Sequence, residues 1–340
     1  MQRAIALKIK KSVPLIASEV APLWTGYLGD SMANSVLRYF LATVEDREVK
    51  TVLKYACSLT EEHMGFKDHL FQRESLIPPQ AFSDQDVNEA APKLFSDTLM
   101  LHYLKQMGTA GMVAYALALT SASRVDIRDF FNHNLKTAAE LSEKATTLML
   151  EKGIWVKPPH LTPPQSTEWV HKESWINGLL GDRRPLNAVE ITHLFLNVAS
   201  NALGKAIMMG FAQVAVAQDV KDFAIRARDI SSKHIEVFSS TIKDDDLPVP
   251  TTLEAEVFDS VASPFSDRLI LFHTLSLAAT GIGNYGTAAA ASPRRDLAIT
   301  YLRLMAEVGT FADDGAELMI KKGWLEKIPG ALERDALIHS

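Results

Sequence analysis

Apolar residues recur at helical spacing in long windows, and polar or proline-rich breaks separate them. Leu23, Tyr27, Val36, Leu37, Phe40 and Leu41 predict a first helix from Ser18 to about Thr43. After the polar break Glu45 to Glu48, with Asp46 as a cap, the stripe Val52, Ala56, Leu59, His63, Phe66, Leu70 predicts a second helix from Val49 to about Glu74, folded back on the first as a tight hairpin. Pro78 and Pro79 are expected to end it, because proline lacks an amide hydrogen and disfavours helix just before it. The connection Gln80 to Phe95 is longer than a usual turn and predicts a crossover lying on the bundle. A third helix, Leu99 to Thr120, is capped at Ser96-Asp97 and carries Gly108, Ala110 and Gly111 near its middle; a fourth runs from Asp126 to about Lys152 and closes at Gly153.

The whole pattern then returns. Glu19 matches Glu190, His63 matches His234, and Leu76 and Pro79 match Leu247 and Pro250, all 171 residues apart. After the crossover the offset is 170, pairing Ser96-Asp97 with Ser266-Asp267, Tyr115 with Tyr285 and Gly153 with Gly323. A period this long indicates duplicated domains and not a solenoid of short repeats. The expected fold is all-α, with two tandem four-helix bundles: residues 1–157, a linker at 158–186 whose aromatic part is clamped between the domains, residues 187–330, and a tail at 331–340.

Composition narrows the function classes. A net charge of -6 gives no electrostatic footprint for nucleic acid. The single Cys57 excludes an internal disulfide and fits a reducing compartment; its match, Arg228, suggests a position at the edge of the core. Met1 to Lys11 mixes lysines with apolar residues and does not read as a signal peptide, and no apolar stretch reaches the roughly 20 residues of a membrane span. The expectation is a cytoplasmic protein without membrane insertion.

Few matched residues are chemically suggestive. Asp97 with Asp267 and Asp126 with Asp296 sit at helix starts, as caps would. The basic pairs Arg183-Arg184 and Arg294-Arg295 lie beside turns, where capping and solvation account for them. Gly281-Ile-Gly283-Asn-Tyr-Gly286 fits the dinucleotide fingerprint, but no strand precedes it, and its small residues are better read as letting the third helix approach a neighbour closely. His63 and His234 lie in mid-helix on the apolar stripe, so each points inward and needs a polar partner. With the first turn centred between residues 46 and 47, facing positions place His63 level with Asp30 and, in the repeat, His234 level with Asn201. Tyr115 and Tyr285 can aim a hydroxyl at such a site. A histidine with a carboxylate between bundle helices can be part of a metal site. Glu19 and Glu190 complete the candidate set, although each stands about 16 Å along its helix from Asp30 or Asn201. Thr60 and Ser231 occupy the positions where a Glu-x-x-His motif would carry its glutamate.

The segments Glu19-Val-Ala-Pro-Leu-Trp24, Tyr39-Phe-Leu41, His63 and Phe95-Ser-Asp97, and above all Glu190-Ile-Thr-His-Leu-Phe195, Pro264-Phe-Ser-Asp267 and Ala291-Ser-Pro-Arg-Arg-Asp296, resemble a domain-of-unknown-function family of spore-forming bacteria. The resemblance covers nearly the whole chain. It implies two tandem ferritin-like bundles and a distant likeness to spore coat protein F. The function expected is that of a non-enzymatic structural or interaction protein associated with sporulation, with no cofactor and with an unknown protein partner or self-association. The alternative is a ferritin-like protein holding iron or another transition metal around His63 and His234. A third reading is a small-ligand carrier with a pocket beside the glycine-rich third helix.

Overall fold

The computed structural model describes residues 13–179, 183–332 and 334. The segment Met1 to Lys11, the tip of the loop before Arg183 and the last part of the tail lie outside the described residues. Among these residues the chain forms eight long α-helices. The first bundle is α1 (Ala17–Thr43), α2 (Arg47–Arg73), α3 (Asp97–Ser121) and α4 (Val125–Glu151). The second is α5 (Ala188–Val214), α6 (Gln218–Lys243), α7 (Asp267–Ala291) and α8 (Arg295–Lys321). At 25 to 27 residues, each helix spans about 40 Å.

Local chemistry sets the ends. Asp46 accepts from the amides of Glu48 and Val49, and Gly153 and Gly323 take the left-handed conformation (φ 68° and 70°) that closes α4 and α8. The prolines do not stop α2. Ser75 and its match Asp246 turn left-handed (φ 55° and 56°), and Leu76 N–H donates back to Phe71 O, so the helix is closed before the prolines are reached.

Connectivity follows from which ends touch. Asp97, at the start of α3, accepts from the amides of Glu45 and Asp46 in the α1–α2 turn, while Glu19, at the start of α1, accepts from Ser123 and Arg124 between α3 and α4. Hence α1 and α4 run one way and α2 and α3 the other, and residues 74–96 cross the bundle's length to join them. Asp267 repeats the Asp97 strap on Val216 and Ala217. These aspartates tie a neighbouring turn; Ser96 and Ser266 are the side chains that cap α3 and α7.

The two crossovers meet side by side in a doubled set of contacts. Val87 bridges Phe265 and Phe95 bridges Val257. Ser96 N donates to Glu256 O and Ser266 N to Asp86 O; Asn88 N donates to Pro264 O and Phe258 N to Leu94 O. Each pair becomes the other under the 170-residue offset, the signature of a two-fold, isologous contact. On the axis, Tyr103 Oη stands 2.9 Å from Nε2 of its own counterpart His273. One continuous apolar core consequently runs through both bundles, and a second cluster around Leu23, Phe71 and Phe131 fills the far end of the first. The interface is not perfectly symmetric: Tyr39 packs edge-on against Phe265, whereas its match Gly210 leaves room for Phe95, whose ring would lie 2.6 Å from a Cβ there.

Three sequence expectations need correction. Cys57 is 6% exposed and belongs to the buried core, not to its edge, the thiol being small enough to stay inside. The aromatic linker segment is not clamped between the bundles: Trp169 is 78% exposed, and Trp175 stacks on the Arg184 guanidinium at 3.9 Å beside the start of α5. Helix α5 is, by length and composition, apolar enough to cross a membrane, and 61% of its most apolar window is buried within the protein, where the shared core accounts for the apolarity.

Candidate functional site

The α1–α2 hairpin brings Asp30 and His63 together in the first bundle, with His63 Nδ1 3.4 Å from Asp30 Oδ1. Tyr115 Oη from α3 lies 3.2 Å from the same nitrogen. Lys67, one turn beyond His63, sends its Nζ onto Asp30 Oδ2. The group is enclosed: Asp30, His63 and Lys67 are 7%, 4% and 1% exposed. Burial alone would raise the Asp30 pKa, but the Lys67 charge, with the His63 contact, holds it below the ordinary aspartate value. His63 Nε2 has no hydrogen-bond partner among the described residues.

The second bundle uses the same scaffold with different charges. Tyr285 Oη lies 2.8 Å from His234 Nδ1 and accepts from Asn201 Nδ2 at 2.8 Å, so the tyrosine links the two residues that the hairpin sets level. Glu307 from α8 places Oε2 3.4 Å from His234 Nε2. With Nε2–H facing that carboxylate, Nδ1 is the acceptor of the tyrosine proton. Burial lowers the His234 pKa in spite of Glu307 and keeps the imidazole neutral; burial also raises Tyr285. The position of Lys67 is taken by Phe238, and that of Glu307 in the first half by Thr137.

Glu19 and Glu190 belong elsewhere. Both are fully buried at the far ends of the bundles. Glu19 receives the amides of Ile16, Ser123 and Arg124; Glu190 receives those of Asn187 and Arg294 and a two-pronged contact from Arg184 at 2.7 and 2.8 Å. Burial opposes their ionisation, and these donors outweigh it, lowering both pKa values. They tie the first turn of α1 or α5 to the α3–α4 or α7–α8 turn. Arg294 is 3% exposed and engaged by Asp296, and Arg124 likewise by Asp126 and Glu74, so Asp126 and Asp296 hold arginines and do not act as caps. Among the described residues no three His, Cys, Asp or Glu side chains converge as a metal-binding set.

Sequence reasoning missed Lys67 and Glu307. The hairpin register carried a signal for the first, since the residue level with Lys67 is Gly26, and a Cβ there would lie 3.0 Å from Nζ. Nothing in the pattern marked Glu307. The glycines of α7 also behave differently from expectation. A Cβ on Gly281 or Gly283 would meet nothing within 4 Å, whereas in the first bundle Gly108 does permit close approach, its Cβ position lying 2.7 Å from Ser142 N on α4. Beside Gly281 lies a cavity of about 90 Å³, bordered by His234, Tyr285 and Asn201.

A family model described as a protein of unknown function (DUF3231) matches residues 4–166 and again 174–337, one copy over each bundle. No curated protein matches the chain. Among solved structures, a candidate spore coat protein of Bacillus halodurans C-125 aligns at 20% identity over 45% of this chain and 99% of its own, with a TM-score of 0.40.

Proposed function

The chain belongs to the DUF3231 family, of which it carries two copies, and from that premise we propose that it is a non-enzymatic structural or interaction protein whose histidine clusters are internal polar ties. The observation that supports this reading best is Lys67. Its ammonium group lies on Oδ2 of the Asp30 carboxylate whose Oδ1 faces His63, so the charge that would attract a metal ion is already met within the chain. In the second bundle the matched position is the neutral Asn201, and the aspartate is gone altogether. Each cluster spans three or more helices, so it fixes their register in the manner of a buried polar tie. The single long crossover in each bundle is the connectivity on which a ferritin-like classification would rest.

The metal reading and this one part at a simple measurement. Protein loaded anaerobically with Fe(II), Mn(II) or Zn(II) and then desalted is expected to retain no stoichiometric metal. Retention of one ion per bundle, lost in His63→Ala and His234→Ala, would overturn the proposal in favour of a metalloprotein. Association with the bacterial spore is the second part of the reading. Immunoblots of spore and vegetative fractions from the source organism test it, and protein confined to vegetative cells would remove it.

A further inference from the structure

We propose that the second bundle binds a small neutral molecule of about four heavy atoms, largely apolar and carrying one hydrogen-bond donor, in the cavity between α5, α6, α7 and α8. The size comes from the cavity, 90 Å³ against the roughly 150 Å³ that accommodates benzene in an apolar protein interior. Its walls include Leu203, Met208, Leu277 and Phe311, and no Asp, Glu, Lys or Arg lines it. An ion entering would lose its hydration with no countercharge to meet it.

The polar end of the ligand follows from the hydrogen-bond chain. Both hydrogens of the Asn201 amide are committed, one to Asn197 O at 2.7 Å and one to Tyr285 Oη at 2.8 Å. The Tyr285 proton goes to His234 Nδ1, whose ring is held in that tautomer by Glu307. Asn201 Oδ1 also lies 3.2 Å from the Tyr285 hydroxyl, but the single phenolic proton is on the His234 side, so this oxygen is left as an acceptor without a donor and can take one from a ligand. The matched Gly108 lets α3 press against α4, whereas Ala278 and the open flank of Gly281 leave room beside α7. Gln106 reaches the same cavity from the first bundle, so an occupant would touch both halves.

The test uses the full chain and four probes of equal size. In saturation-transfer NMR titrations, 1-propanol is expected to bind saturably at roughly millimolar concentration, a range set by so few atoms. Ethyl methyl ether, which lacks a donor, and acetate, which is charged, should bind at least about tenfold weaker; acetamide, more polar, should fall between. Ala278→Leu, which fills the cavity, should abolish saturation without loss of helical circular dichroism. Crystals of the unsubstituted protein soaked in 2-bromoethanol should show an anomalous bromine peak between Asn201 and Phe311, which keeps the test independent of any variant. Equal binding of propanol and the ether, saturation that persists in Ala278→Leu, or a cavity without bromine would overturn the proposal. None of these outcomes bears on metal retention, so the two readings fail separately.

Discussion

Replacing Lys67 by methionine removes one partner of an ion pair that is almost wholly sealed from water. Lys67 is 1% exposed and Asp30 7%, and Gly26 leaves no side chain that could take over the contact. Breaking such a buried pair from one side typically costs about 3–5 kcal/mol, because the remaining charge stays buried without compensation. For 340 residues unfolding together, at about 2.1 cal/mol/K of entropy per residue, that is a fall in Tm of roughly 4–7 °C. The second bundle shows the other corner of the cycle, with Asn201 and Phe238 at these positions. Asp30→Asn combined with Lys67→Met should therefore return to within about 1 kcal/mol of the parent, the usual result when both charges are removed. The pH dependence gives an independent reading. In the parent, the Asp30 pKa is depressed, so its stabilisation is present above the unfolded value and is lost as pH falls through the folded one. In Lys67→Met only burial and the histidine remain, Asp30 takes up a proton more readily, and the deficit should shrink from pH 7 towards pH 5. Calorimetry of the four proteins at both pH values decides it. A Lys67→Met Tm within about 1 °C of the parent at pH 7, or a double variant as unstable as the single, would refute the account of this pair.

Three further outcomes follow. Burial lowers the His273 pKa from 6.5 to about 4, so the neutral ring is favoured in the folded state; urea midpoints should fall as pH drops from 6.5 towards 4, and His273→Phe should flatten that slope. A flat parent profile would show that the ring at the pseudo-axis is not sealed. Gly108→Ala should lower Tm by an amount equivalent to about 1–3 kcal/mol, since its Cβ meets α4 backbone, whereas Gly29→Ala, with nothing within 4 Å, should gain about 0.5–1 kcal/mol from helix propensity; thermal melts of both variants check the contrast. Glu19→Gln should cost about 1–3 kcal/mol by weakening a buried acceptor of three backbone amides, with no change in metal content, as melts and elemental analysis would show.

Much of this architecture was legible because it rests on local rules. Asp46, Gly153 and Gly323 act at the helix ends where capping chemistry puts them. The hairpin register, a matter of counting from one turn, set Asp30 beside His63. The stop of α2 was misread because a left-handed serine has no sequence signature as loud as two prolines. Lys67 was overlooked for a different reason. A lysine on an apolar stripe reads as solvated unless its facing residue is considered, and the glycine opposite is informative only once the pair is taken together. The fusion of the two cores was not legible at all, since it depends on where two crossovers meet in space.

That fusion explains how the two halves could keep one frame and change their interiors. Contacts across the pseudo-two-fold axis occur in duplicate, so altering one strand of the crossover pairing disturbs a surface that both bundles share. The interior clusters face no such constraint, but they are coupled within themselves. Placing Phe238 where the first half has Lys67 is tolerable only with Asn201 in place of Asp30, because an unpartnered carboxylate would otherwise be buried. Asn197 can stand opposite Phe238 because no ammonium group needs the space that Gly26 leaves in the first bundle. The axis itself shows what duplication permits. In a dimer of identical chains, a residue on the two-fold meets its own copy, and two identical side chains must break symmetry to form a single donor-acceptor bond. Here Tyr103 meets His273, and the hydroxyl and the buried imidazole share one hydrogen bond. The covalent link between the halves is what lets those two positions differ.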